Sequence, residues 1–136
     1  MKVAVIYAST TGNTEAMASA INEAVSSKAE VVFGTADSAD AGDVLGCDAI
    51  LLGSPAMGDE VLEDSMEEFY AGIEGGLSGK KVGLFGSYDW GDGQWLRDWE
   101  ERARNAGATV AESLMVHLTP EAADVDKCKA WALAAV

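Results

Sequence analysis

Short apolar runs separated by helical periods constrain the fold of this chain more than any other feature of its sequence. Lys2–Tyr7, Glu30–Phe33, Ala49–Gly53, Lys81–Phe85 and Thr109–Val116 read as strands. Several are apolar at consecutive positions, as strands buried on both faces of a parallel sheet must be. Between them the apolar period lengthens. Met17, Ile21, Ala24 and Val25 fall on one face of a helix, and Trp95, Trp99 and Ala103 make a similar stripe in the segment from Gln94 to Ala106. Trp131 falls on a core-facing stripe of the last helix. For that helix Thr119 supplies a capping hydroxyl, Pro120 a first-turn proline and Glu121 an acid, and it runs to near the C-terminus. The stretch Ala36–Gly46 has room for one short helix, and the Gly-rich piece Gly72–Gly79 marks a mobile connection before the fourth strand. Right-handed crossovers then predict an α/β domain with a doubly wound, five-stranded parallel sheet in the order 2-1-3-4-5 and helices on both faces. A chain of 136 residues suits one such domain, spanning 1–136.

The charge balance narrows the partners. Nine Lys and Arg stand against 23 Asp and Glu, a net charge of −14, which repels nucleic acid and anionic membranes and favours proteins with basic docking surfaces. No apolar stretch approaches the ~18 residues of a membrane span, and the run after Lys2 leads straight into a polar turn instead of an export signal. The expectation is an acidic, soluble, cytoplasmic monomer. Cys47 and Cys128 are far apart and lack metal-ligand or redox-motif spacing, so reduced thiols are expected, with neither a disulfide nor a metal site.

In the 2-1-3-4-5 order the turns after the first, third and fourth strands are neighbours, and all three carry unusual chemistry. The first is Ser9, Thr10, Thr11, Gly12, Asn13 and Thr14 at the start of a helix. Hydroxyls, unpaired backbone N–H groups and the positive end of the helix dipole suit a phosphate there. The loop holds no Lys or Arg and matches neither the Walker A pattern nor the dinucleotide fingerprint, which disfavours a nucleoside triphosphate. The second turn is Ser54, Pro55, Ala56, Met57, Gly58, Asp59 and Glu60. Met57 offers a polarisable contact, and Gly58 at the first central position of a Met57–Glu60 turn suits type II′, with a peptide that reorients cheaply. The third is Ser87, Tyr88, Asp89, Trp90, Gly91, Asp92 and Gly93, where Tyr88 and Trp90 look like a platform for a flat ring. Read singly, Gly58 makes a tight turn and the aromatics cover a hydrophobic edge. Together they describe a pocket for a phosphate joined to a ring.

These residues resemble the flavodoxins. Val5 through Thr14, with Ala18 and Ile21 beyond, match that family's N-terminal signature. Ala56–Glu60 and the group Gly86, Ser87, Tyr88, Trp90 and Gly91 look like the second and third loops of short-chain flavodoxins from anaerobic bacteria. The likeness covers nearly the whole chain. It implies non-covalently bound FMN and one-electron transfer, with Ser9–Thr14 on the phosphate, Met57 and Trp90 sandwiching the isoalloxazine, and Glu60 accepting from flavin N3–H. It further implies that Ser54, Pro55, Ala56, Asp59, Ser87, Tyr88, Asp89 and Gly91 complete the site. Asp89 departs from the usual pattern, which carries Gly beside the Trp.

The mechanism expected on that basis is control of flavin redox state by hydrogen bonding and charge, since no catalytic acid, base or nucleophile has a familiar arrangement. A reoriented Gly58 carbonyl accepting from flavin N5–H favours the neutral semiquinone. Like charges ~10 Å apart cost about 1 to 2 kcal/mol at an effective dielectric of ~20, so the phosphate with Asp59, Glu60, Asp89 and Asp92 opposes the anionic hydroquinone. The chain is therefore expected to be a low-potential carrier shuttling between semiquinone and hydroquinone, without enzymatic activity of its own. Reductases are the expected donors and low-potential enzymes of the nitrogenase or hydrogenase type the acceptors, docking beside Glu63, Asp64, Glu67 and Glu68. The alternative is an NAD(P)H-dependent FMN or quinone reductase of the same fold, but no second phosphate loop or basic cluster is present for it. A phospho-acceptor receiver lacks its clustered acids here, and a tyrosine phosphatase its Cys and Arg. The lone His117, at the end of the fifth strand, reads as a structural or surface residue and not a catalytic base.

Overall fold

A computed structural model describes residues 1–58, 61–89 and 91–136. Along the chain run β1 (Lys2–Tyr7), α1 (Asn13–Ser26), β2 (Glu30–Thr35), α2 (Ala41–Leu45), β3 (Ala49–Gly53) and α3 (Asp64–Ile73). They are followed by β4 (Lys81–Tyr88), α4 (Gln94–Asn105), β5 (Thr109–Val110), β6 (Leu114–His117) and α5 (Ala122–Ala135). The sheet order is β2-β1-β3-β4-β5, all pairs parallel, with β6 also paired to β4. Val5 in the central strand faces Phe33 of β2 and Leu51 of β3.

The period of two along each strand sorts the core into two layers. Ala4, Ile6, Ile50, Leu52, Val82 and Leu84 pack against α2, α3 and α4, including Val44, Met66, Tyr70, Trp95 and Trp99. Val3, Val5, Ala49, Leu51 and Phe85 point the other way, onto Met17, Ile21 and Val25 of α1 and Cys128 and Ala132 of α5. Helices thus cover both faces, and the carboxyl ends of β1, β3 and β4 open on one rim.

Several details differ from the sequence reading. The single strand expected at Thr109–Val116 is two short ones, because after Ala111 N–H bonds to Val82 O the Glu112 carbonyl leaves the ladder to accept the Trp131 indole N–H. Trp131 is accordingly half-buried over Phe85 and seals that break instead of filling the centre of the core. The last helix begins later than Thr119–Pro120 suggested. Glu121 and Asp124 cap one another's backbone N–H groups there, satisfying two donors where the threonine would satisfy one. Finally, α3 ends at Ile73 and a 3-10 turn covers Glu74–Gly76, so the start of the Gly-rich connection is regular structure.

β4 also reaches three residues further than Phe85. Gly86 makes that extension possible, since a Cβ there would overlap Ser54 O of the neighbouring segment. Ser87 and Tyr88 are therefore strand residues held by β6, and the third turn begins only at Asp89.

Candidate functional site

The loop between β1 and α1 is organised by Ser9. Its Oγ accepts N–H bonds from Gly12 at 3.1 Å and Glu15 at 3.3 Å, leaving the hydroxyl hydrogen to donate outward. Gly12, at φ +91, turns the chain into the helix in a left-handed conformation that a side chain disfavours. As a result the backbone N–H groups of Thr10, Thr11, Asn13 and Thr14 donate to nothing among the described residues. Thr10, Thr11 and Gly12 are exposed, so these donors lie at the open positive end of α1. Behind them the Tyr7 hydroxyl donates to Glu15 at 3.2 Å, and burial together with that carboxylate raises the phenol's pKa.

Ser87 ties the three loops to one another. Its Oγ lies 2.7 Å from Thr14 Oγ1 in a buried hydroxyl pair, and its carbonyl accepts the Ala56 N–H at 3.0 Å. One strand residue thus fixes the phosphate-type loop on one side and the Met57 loop on the other. That second loop is closed by paired bonds between Met57 and Val61, one residue beyond the expected Met57–Glu60 turn, with Gly58 at φ +46. Asp59 and Glu60 lie outside the described residues, as does Trp90, so the turn type and the Trp90 and Glu60 roles are not drawn from the geometry.

Ten of the candidate residues converge on one cleft of about 330 Å³: Thr10, Thr11, Asn13, Pro55, Ala56, Met57, Gly58, Ser87, Tyr88 and Asp89. Ser9, Gly12 and Thr14 shape the loop from behind, and Gly91, at φ +87, sits beyond the cleft lining. Ser54 is buried and turned inward. Its hydroxyl donates to Pro55 O at 2.9 Å and accepts from Glu63 N–H, while its carbonyl takes the Trp95 indole N–H, so it positions the loop without facing the cleft.

Leu118 completes the wall and was not legible in the sequence. It is the one described non-glycine residue with positive φ, +62, and its N–H donates to Tyr88 O at 2.7 Å. No sequence signal marks a leucine for that conformation. The acids that follow the second and third loops in sequence are also not all free: Glu63 caps α3 through Oε2, Glu67 forms a two-point pair with Arg102, and Asp92 pairs with Arg97 at 2.9 Å. Asp64 and Glu68 remain exposed.

A doubly wound sheet that brings a cation-free anion loop and an apolar loop pair to the carboxyl ends of its central strands defines a mononucleotide-binding domain. The flavodoxin family model matches residues 5–131. A flavodoxin from Megasphaera elsdenii is 46% identical over 129 residues, 93% of each chain. Another from Clostridium beijerinckii is 45% identical over 125 residues, covering 90% of this chain and 91% of the relative. The solution structure of two-electron reduced M. elsdenii flavodoxin superposes with a TM-score of 0.88 at 44% identity, covering 99% of this chain and 98% of that one. The chain belongs to the flavodoxin family. It is an FMN-binding electron carrier for redox partner proteins, not an enzyme, and the reductase alternative is not favoured. The residues present fit that cofactor: the unpaired N–H groups at α1 suit its phosphate, and the Pro55, Ala56, Met57 and Tyr88 walls suit its ring.

Proposed function

We propose that this flavodoxin works as a low-potential, monomeric, cytoplasmic carrier whose cofactor is held by the residues of the cleft. The observation that supports this reading most is the convergence of four unpaired N–H donors, with no Lys or Arg in their loop, beside the Met57 and Tyr88 walls. FMN supplies one-electron chemistry, with a proton taken up at N5 and negative charge developing at N1. Thr10, Thr11, Asn13 and Thr14 bind the phosphate through backbone N–H groups, and Ser9 adds its free hydroxyl hydrogen. Met57 and Trp90 hold the ring and exclude water from its faces, and Glu60 accepts at N3–H. The Gly58 carbonyl would accept a hydrogen bond from flavin N5–H, because a glycine at φ +46 turns its peptide at little cost.

Asp59, Glu60 and Asp89 beside an uncompensated phosphate oppose further negative charge on the ring, which keeps the second reduction at low potential. Asp64 and Glu68, exposed acids of α3, present charge to basic partner surfaces. Reductases are the donors on this reading, and low-potential enzymes such as those of the nitrogenase or hydrogenase type the acceptors. Anaerobic reductive titration of the FMN-loaded protein tests it. Two well-separated one-electron steps, the second at low potential, are expected; a single two-electron wave defeats it. NADPH oxidation by the isolated loaded protein would instead establish the reductase alternative.

A further inference from the structure

β6 grips the third loop at two successive carbonyls. Leu118 N–H bonds to Tyr88 O at 2.7 Å, and the His117 Nε2 lies 3.1 Å from Asp89 O, with the imidazole tilted over the Tyr88 ring at 4.9 Å between centroids. Tyr88, Asp89 and Leu118 line the cleft itself, so the exposed His117 side chain touches two residues of its wall, Tyr88 and Asp89. A carbonyl only accepts, which requires a proton on Nε2. The neutral Nε2–H tautomer meets that requirement, and the imidazolium does so with a stronger, charge-assisted bond.

We propose that His117, the chain's single histidine, is a positioning residue for the cofactor: its Nε2–H straps the Asp89 carbonyl to β6 and so fixes the third loop at the cleft. The Tyr88 ring beside the imidazole holds it in that orientation. A loop already held in the binding conformation also loses less freedom when the ligand arrives.

The inference rests on FMN occupying this cleft, and two variants separate its parts. His117→Phe keeps a ring on Tyr88 and removes the donor, whereas His117→Gln keeps an amide donor. FMN dissociation constants are measured for apo wild type and both variants at pH 8.0, with circular dichroism to verify folding. The Phe variant is expected to bind about three- to tenfold more weakly than wild type, the range one hydrogen bond supports, and the Gln variant to match wild type. A Phe variant that binds as tightly as wild type overturns the proposal, as does a Gln variant as weak as the Phe variant. Wild type that binds no FMN overturns the cleft assignment instead.

Discussion

Single residues decide how the cofactor is held. Gly58 has open space where a Cβ would go, so what limits substitution there is its φ of +46 and not crowding. Gly58→Ala should therefore fold, at a cost of about 1 kcal/mol, yet turn its peptide less readily. Redox titration should find the two one-electron steps closer together than in wild type; an unchanged separation removes the Gly58 carbonyl from the mechanism. Ser87→Ala acts differently. It leaves the buried Thr14 hydroxyl without its 2.7 Å partner, worth about 1 to 2 kcal/mol, and should lower Tm by about 3 to 7 °C. FMN should also bind more weakly, because Thr14 lies in the first turn of α1, whose unpaired N–H groups are the proposed phosphate donors. Calorimetry and fluorescence titration read the two effects. Thr10, Thr11 and Asn13 were recognisable from sequence because hydroxyls and a glycine at a strand-to-helix junction have few other uses. The hidden duty of Ser87 was not, because its partner lies 73 positions away.

Elements carry these residues to one place. α3 and α4 flank the Met57 loop, and Arg102 joins them: it pairs with Glu67 at 2.8 Å and Glu74 at 3.3 Å, with its guanidinium 4.7 Å from the Tyr70 ring centre. Partial exposure limits each contact to about 0.5 to 1 kcal/mol, so Arg102→Met, which keeps much of the apolar stem, should cost about 1 kcal/mol and a few degrees of Tm. A loss of 4 kcal/mol or more would mean the network is worth more than its exposure allows. The element pattern itself was largely legible, since α1 and α4 follow their apolar stripes closely. The break between β5 and β6 was not, because apolar residues flank it on both sides and only the docking of Trp131 on Glu112 O creates it.

At the scale of the whole molecule two properties follow from charge and burial. Net charge of −14 with Asp64 and Glu68 exposed on α3 should make electron transfer to a basic c-type cytochrome fall as ionic strength rises. Stopped-flow rates should be lower for the Asp64→Asn, Glu68→Gln double variant, whose salt dependence should also be shallower. The second property is alkaline sensitivity. Burial pushes the Cys128 thiol up to about 11 from an ordinary 9.0, and also raises Cys47 and the phenols of Tyr7 and Tyr70. Folding disfavours the ionised form of each, so the unfolded chain releases these protons first and stability falls with rising pH. For Cys128 the contribution is full below about 9 and lost as pH passes about 11. Tm should therefore drop between pH 9 and 11, and less so in Cys128→Ala.

The sequence alone determined the layered α/β fold, its strand order and the three turns that meet at the rim, because hydrophobic periodicity, glycines and helix caps act over a few residues. It also determined the acidity and the absence of Lys and Arg from the Ser9–Thr14 loop, which are matters of composition and local order. Only the tertiary structure decided that Ser54 faces inward, that Ser87 joins the loops, that Glu63, Glu67 and Asp92 are engaged in a cap and ion pairs, that His117 contacts Asp89 O and that Leu118 lines the cleft. Those facts depend on contacts between residues distant in the chain, where the partner, and not the residue's own neighbours, sets the role.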